Sequence, residues 1–307
     1  KVTYMKKHAY LIMAHNNPYI LKKLLNLIDD KRNDIYLHID KKSKLFNVQE
    51  INNIVKNSNL YFTKRIDVRW GDFSQIECEY LLLKESKNKN YEYYHFISGV
   101  DLPLKTQDEI HDFFQKNNGK EIVQLTTDEI INKRNAYYRI SRFHFFQKIA
   151  KSNRRLERTF YNAFQNVFMP IQSILKVDRI KKLDIKVGYG ANWVSITNDF
   201  ANYVLKQETW VRKVFKYSLC ADELFIQTLL VNSKFKENVY KEPSNNFNGD
   251  ACMRYIDWER GNPYVFKEED LERLLKSRML FARKFDVETN KKIIDDIYMI
   301  LKEKQNK

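Results

Sequence analysis

Short apolar runs alternate with stretches of helical spacing through the first 125 residues, and this alternation constrains the fold more than any other feature. "HAYLIMAH" (8–15) has the length and composition of a buried strand. Asn16, Asn17 and Pro18 close it, and residues 19–28 then repeat their apolar positions as a helix does. "DIYLHID" (34–40) predicts a second strand, ended by the basic turn "KKSK", and "NLYFT" (59–63) a third. "GDFSQIECEYLLLKESK" (71–87) predicts an amphipathic helix opening on Gly and Asp. "YEYYHFISG" (91–99) predicts a strand, Pro103 a turn, a helix follows from about 108, and "EIVQL" (121–125) predicts one more strand. This order implies an α/β fold around a parallel sheet. Such sheets bind ligands beyond the carboxyl ends of their strands, where this chain carries His15, Asp40 and Asp101.

Composition agrees with a globular chain: 307 residues, 43% hydrophobic and 30% charged, with only 7 Gly and 5 Pro. Three cysteines without metal-type spacing suggest free thiols in a reducing compartment. No apolar run reaches the roughly 18 residues needed to span a bilayer, and no signal peptide is expected. The net charge of +15 favours phosphate-bearing partners, whether nucleic acid, anionic lipid or nucleotide. From 133 to 158 there are nine Lys or Arg against one acidic residue, Glu157, with Tyr137, Tyr138, Phe143, Phe145 and Phe146 between them. This segment reads as helices inserted on the sheet. It is either a solvated face or a contact surface for acidic lipid or nucleic acid. "GYGANWVSIT" (188–197) returns to strand character, and helices are expected near 198–206, 222–232, 268–277 and 289–303.

Several residues invite a chemical reading beside a structural one. In "CADELFIQTLL", Asp222 and Glu223 suit a helix's first turn, where the dipole favours anions, and equally a base that takes a proton from a hydroxyl. Arg283 and Lys284 in "LFARKFD" are either a solvated pair or a grip on a pyrophosphate. Asp101 is a turn residue or a ligand contact, Trp70 a core residue or a flat wall for a base or sugar, and His15 and His38 core histidines or site residues. No Gly-rich dinucleotide loop, P-loop or nucleophile elbow occurs. No two Asp residues stand at i and i+2, so cationic side chains would have to neutralise a bound diphosphate.

Taken in order, "AYLIMAHNNPYILKKLL", "IYLHIDKKS", "RWGDFSQIECEYLLL", "YYHFISGVDLPLKTQDEIHDFF", "ANWVSITNDF", "CADELFIQTLLVNS", "RYIDW" and "LFARKFD" resemble the core-2/I-branching glycosyltransferase family, glycosyltransferase family 14. That family holds β-1,6-N-acetylglucosaminyltransferases and peptide O-xylosyltransferases. The resemblance implies a GT-A type fold in a single domain over 1–307. Its parts would be a nucleotide-binding half (8–130), the basic aromatic insertion (131–185) and an acceptor and catalytic half (186–307). It also implies inverting, UDP-sugar-dependent transfer without a metal or other cofactor. On the family's motifs, Glu223 would be the general base and Arg283 and Lys284 the diphosphate ligands. His15, Asp40 and Trp70 would line the nucleotide pocket. Asp101 would lie near the donor sugar, with Asn192, Trp193 and Asp222 on the donor-sugar and acceptor side.

There are two departures. Asn192 stands where the xylosyltransferases carry an acidic residue before the Trp, and the disulfide richness of the animal branching enzymes is missing. The Lys/Asn-rich composition looks bacterial. The function expected is transfer of a sugar, GlcNAc first, to a saccharide hydroxyl with a β-glycosidic bond formed, in surface polysaccharide synthesis. UDP-xylose, UDP-galactose and UDP-glucose are alternative donors. A basic nucleic-acid-binding protein is the rival from another class, whereas the leading reading has no nucleic-acid partner. Expected partners are a UDP-sugar, a saccharide or lipid-linked saccharide, and an anionic membrane. The expected location is cytoplasmic, at the inner membrane face.

Overall fold

The computed structural model describes residues 6–241 and 250–306. In chain order the elements are β1 (His8–Ala14), α1 (Pro18–Ile28), β2 (Asn33–Ile39), α2 (Val48–Ile54), β3 (Asn59–Phe62), α3 (Ser74–Ser86), β4 (Tyr93–Ser98), β5 (Leu102–Pro103), α4 (Gln107–Lys116), α5 (Asp128–Lys133), α6 (Ala136–Ser141) and α7 (Arg155–Ile174). There follow β6 (Ser195–Thr197), α8 (Asn198–Lys206), α9 (Glu208–Phe215), α10 (Phe225–Val231), β7 (Arg254–Ile256), α11 (Leu271–Lys276), β8 (Phe281–Arg283) and α12 (Val287–Gln305).

The main sheet has the order β3-β2-β1-β4-β6. β1, β2, β3 and β4 run parallel, as the alternation of strands and helices requires. The chain lays β2 and β3 on one side of β1 and returns to place β4 on the other. A crevice therefore opens between the β1 and β4 ends, the usual ligand position in such sheets. β1 shows why both faces are covered. Ala9 and Leu11 point into one apolar cluster with α3, α8 and α10, while Tyr10, Ile12 and Ala14 point into another with α1 and α12. α1 starts on Pro18, whose missing N–H costs nothing in a first turn, and α4 on a capping box between Thr106 and Glu109.

The mixed α/β architecture expected from the sequence is present, with four differences. β6 joins the sheet antiparallel to β4, and only 195–197 of the expected 188–197 strand enters the ladder. Residues 121–125 form no strand. They make isolated bridges at Glu121 and Ile122, and the Glu121 carboxylate accepts from the Thr197 N–H (2.9 Å) and hydroxyl (2.6 Å). α2, capped by the Asn47 side chain, was not anticipated. The 222–232 helix begins as a 3₁₀ turn over Ala221–Glu223.

The two expected halves also share structure. β6 completes the first sheet, and β8 pairs with β5 in a second sheet of order β5-β8-β7. Arg254 of β7 binds the two sheets together. It is fully buried and donates to the carbonyls of Phe96 (3.3 Å) and Val194 (3.1 Å) and to Ser195 Oγ (3.0 Å). Three histidines far apart in sequence meet in the core: the His8 ring lies 4.2 Å from His111 and 4.9 Å from His95. Burial holds all three below the ordinary imidazole range, so they serve as neutral hydrogen-bonding groups.

Gly190 sets how closely the 188–191 segment approaches its neighbours, since a Cβ there would lie 2.0 Å from the Gln124 carbonyl oxygen. The Gly190 N–H donates to the Glu223 carbonyl (3.1 Å), so this approach also positions the turn that carries Glu223. Gly190→Ala is expected to cost more than about 2 kcal/mol of stability, as overpacking against rigid backbone does. Chemical denaturation of the variant beside the parent measures it, and an unchanged midpoint would contradict the close approach.

Candidate active site

The crevice is a cavity of about 720 Å³. Its floor comes from the carboxyl ends of three strands: His15 after β1, His38 and Asp40 at β2, and Ser98 and Val100 at β4. Trp70, Lys42 and Arg69 wall one side, Trp193 and Arg283 another, and Lys148 and Lys151 reach in from the basic insertion. Six cations, Lys42, Lys44, Arg69, Lys148, Lys151 and Arg283, thus line a pocket with one carboxylate, Asp40, and Lys42 and Arg69 also pair with Asp67 outside it. That suits an anionic ligand of nucleotide size.

Asp40 is spoken for locally. Its oxygens accept from the Lys42 N–H (2.7 Å), Lys42 Nζ (2.9 Å) and the Val68 N–H (3.1 Å), which fixes the loop before Trp70. Trp70 is 55% exposed, so it is a wall and not a core residue, and Lys151 Nζ sits 3.3 Å above its ring. Burial holds His15 below the usual imidazole range; Arg283, Lys42 and Lys284 add to this and Asp40 opposes it. His38 is lowered to about 4 by burial and accepts the Ile66 N–H at Nε2 (3.0 Å), as a neutral ring does.

Arg283 is anchored from below and stacked from the side. Asp101, 1% exposed, accepts from Arg283 Nη1 (3.0 Å), the Ser98 hydroxyl (2.7 Å) and the Ser98 N–H (2.8 Å). The Arg283 guanidinium also donates to Ser98 Oγ (2.6 Å) and lies 4.7 Å from the Trp193 ring centre. Asp101 therefore acts through Arg283 and does not itself line the cavity. Lys284 is likewise outside the lining, although its charge reaches His15.

The carboxylates of "CADEL" stand one layer further. Next to Trp193, Asn192 Nδ2 donates to Asp222 Oδ2 (3.1 Å), which also accepts from Gln75 Nε2 (2.8 Å). Gln75 lines the cavity and accepts the Gly71 N–H (2.5 Å). Gly71, at φ +75°, accepts the Cys220 N–H (3.0 Å), so the Trp70–Gly71 turn and the Cys220–Glu223 turn are bonded together. Glu223 is the more open carboxylate, with its side chain 26% exposed; its Oε2 accepts from Arg139 Nη2 (2.9 Å). Asp222 is buried, and burial with the neighbouring Glu223 raises its carboxyl to about 7. Among the described residues no three His, Cys, Asp or Glu side chains cluster as a metal site requires.

The structure thus gathers His15, Asp40, Trp70, Trp193 and Arg283 around one cavity. Asp101, Asn192 and Asp222 support it, Glu223 follows Asp222 in the same turn, and Lys284 stands outside the lining. Arg139, Gln75, Ser98 and Lys151 were not singled out from the sequence. Arg139 and Lys151 lay inside the basic run, where nothing separates a buried cation from a solvated one. Asp222 and Glu223 do stand in a first turn, that of the 3₁₀ helix before α10, and their side chains also face Asn192, Gln75 and Arg139.

Fold and cavity define an α/β protein with a cationic ligand crevice at the switch point of its sheet and a carboxylate pair beside it. The chain belongs to the Core-2/I-branching enzyme family, whose model matches residues 8–276. It is similar to Xylosyltransferase 2 of Rattus norvegicus, 24% identical over 305 residues that cover 94% of this chain and 33% of that protein. It is also similar to Xylosyltransferase oxt of Drosophila melanogaster, 24% identical over 296 residues covering 89% of this chain and 31% of that protein. The chain therefore spans about a third of the length of these curated relatives. A crystal structure of mouse Xyloside xylosyltransferase 1, apo form, aligns at a TM-score of 0.34 and 9% identity, covering 89% of this chain and 96% of that one.

The raised Asp222 carboxyl links stability to pH. Below about pH 4 the group is protonated whether the chain is folded or not. Between the ordinary 3.8 and about 7 the unfolded chain ionises first, so stability falls as pH rises and levels off above that window. Asp222→Asn cannot ionise and its oxygen can still accept from Gln75 and Asn192. It is expected to gain on the parent across that window, by roughly 1.4 kcal/mol per pH unit. Urea unfolding of both proteins at several pH values measures the difference. A difference constant with pH would contradict the assignment.

Proposed function

We propose that this chain is an inverting, metal-independent glycosyltransferase that moves a sugar, GlcNAc first, from a UDP-sugar to a saccharide hydroxyl. The observation that carries the reading is Arg283, locked by Asp101 and Ser98, stacked on Trp193 and pointing into the crevice at the strand ends. A diphosphate seated there would meet a planar, preorganised cation, with Lys42, Lys148 and Lys151 nearby. The face of Trp70 away from Lys151 would offer the base or ribose a flat wall. Lys284 contributes long-range charge more than a direct grip.

Glu223 is the proposed base. With Oε2 held by Arg139, the other carboxylate oxygen takes the proton from the acceptor hydroxyl as that oxygen attacks the anomeric carbon from the face opposite UDP. Negative charge then grows on the leaving diphosphate and is stabilised by Arg283. The attacking oxygen inverts the anomeric centre, so an α-linked donor gives a β-glycoside. Asn192 and Asp222, bonded to each other beside Trp193, are the residues proposed to contact the transferred sugar. Family membership supports the enzyme reading over a nucleic-acid-binding one. Similarity to xylosyltransferases keeps UDP-xylose as the alternative donor, while Asn192 stands against a xylosyltransferase-like grip on the acceptor. UDP-galactose and UDP-glucose complete the panel, and synthesis of a surface polysaccharide is the proposed use.

Thermal unfolding with UDP, UDP-GlcNAc, UDP-xylose, UDP-galactose and UDP-glucose, each with EDTA, tests the reading. The melting temperature is expected to rise with UDP and most with the true donor. Glu223→Gln should keep that rise while transfer to a saccharide acceptor falls by at least about 100-fold. Indifference to every UDP species, a rise abolished by EDTA, or undiminished turnover by the variant would each count against it.

A further inference from the structure

α7 shows to solvent what a helix ordinarily buries. Its inner side is held by Phe164 and Phe168, which pack on Phe146 and Phe145, and by Gln172, its one buried residue. The outer side carries Leu156, Ala163, Val167, Ile171 and Ile174, with Phe160 at its margin, where the ring also packs on Phe146 (5.5 Å between centres). Steps of four, three, four, four and three keep these six on one stripe of the helix. Leu156 is 85% exposed, Val167 63% and Ile174 79%. Over 20 residues the stripe runs about 30 Å. An apolar surface of this length left in water marks a docking surface.

The surrounding charge says what covers it. Arg154, Arg155 and Arg158 stand at one end and Lys176 at the other. Glu157, the one carboxylate of α7, is already taken by Arg154 and Ser152. Beside the C-terminal end opens a cleft of about 570 Å³, lined by Tyr138, Arg142, Lys176, Asp178 and Lys181 among others. In it Asp178 is engaged by the Tyr137 hydroxyl (2.8 Å), while Arg142 Nε is buried without a hydrogen bond. A second copy of the chain fits poorly: antiparallel helices would set Arg155 against Lys176, and parallel ones arginine against arginine. Among the described residues no helix is long and apolar enough to cross a membrane, so the stripe suits lying on a bilayer.

We propose that α7 docks on an anionic lipid surface, its apolar stripe sunk to the headgroup–acyl boundary and its terminal cations among the headgroups. The insertion that holds α7 also supplies Lys148 and Lys151 to the crevice, so docking would hold that crevice near the lipid. The docking itself stands apart from the catalytic reading. Only its use, bringing the site to a lipid-linked saccharide, rests on that reading.

Flotation of the full chain with vesicles tests it, using phosphatidylcholine alone or with an equal part of phosphatidylglycerol. The chain is expected to float with the anionic vesicles and not with the neutral ones. Leu156→Ser with Val167→Ser should weaken this at least roughly tenfold at an unchanged melting temperature and an unchanged UDP-induced shift. Arg155→Gln with Lys176→Gln, which removes no side-chain hydrogen bond or ion pair, should weaken it as well and blunt its salt sensitivity. No flotation by the parent, equal flotation on neutral vesicles, or flotation indifferent to both variant pairs would overturn the proposal. So would a dimer in sedimentation equilibrium that the serine variant dissolves.

Discussion

The ion pair between Arg283 and Asp101 holds the crevice in its form. Asp101 follows β4 of the first sheet and Arg283 ends β8 of the second, so the pair ties both sheets together at the mouth of the site. Removing one partner of a buried pair of this kind typically costs about 3–5 kcal/mol, because the other charge is left without compensation. Ser98 binds both members, which fixes the guanidinium plane, and Trp193 fixes its direction. Asn192, beside Trp193, carries the constraint on to Asp222 and the turn holding Glu223. Cation and carboxylate thus belong to one connected structure, although 60 residues of sequence separate their motifs.

The basic insertion completes this arrangement from the other side. Arg139 leaves the run of exposed cations to bind Glu223 and the carbonyl of Leu219 (3.0 Å). Lys151 covers Trp70, and Lys148 faces the crevice. One segment therefore does three things that share a single cause, its excess of positive charge. It orients a carboxylate, adds potential to a pocket suited to phosphate, and borders an apolar stripe with cations.

Much of the fold was legible because β1, β2 and β4 are buried on both faces and so are written as continuous apolar runs. The strand ends were legible for the same reason, and of the residues expected there His15 and Asp40 line the crevice while Asp101 lies beneath Arg283. The short strands were not. β6 is three residues long and gains its place from pairing with β4, a contact no local pattern encodes. Residues 121–125 have strand composition, but the Glu121 carboxylate satisfies Thr197 in place of a ladder. At the site, charge could be read but not partnership. Asp101 looked like a ligand contact and is the support of Arg283. Arg139 looked like one cation of nine and is the partner of Glu223. The apolar stripe of α7 was missed because a helix-periodic face in sequence is ordinarily the buried one.

The central claim is that Arg283 supplies the charge that holds the diphosphate. Calorimetric titration of the parent and of Arg283→Gln, which keeps a donor for Asp101, with UDP and separately with uridine tests it most directly. UDP affinity is expected to fall by roughly 10- to 100-fold, the worth of a hydrogen bond between charged groups, while uridine affinity stays the same. An unchanged affinity for UDP, or an equal loss for both ligands, would contradict the account.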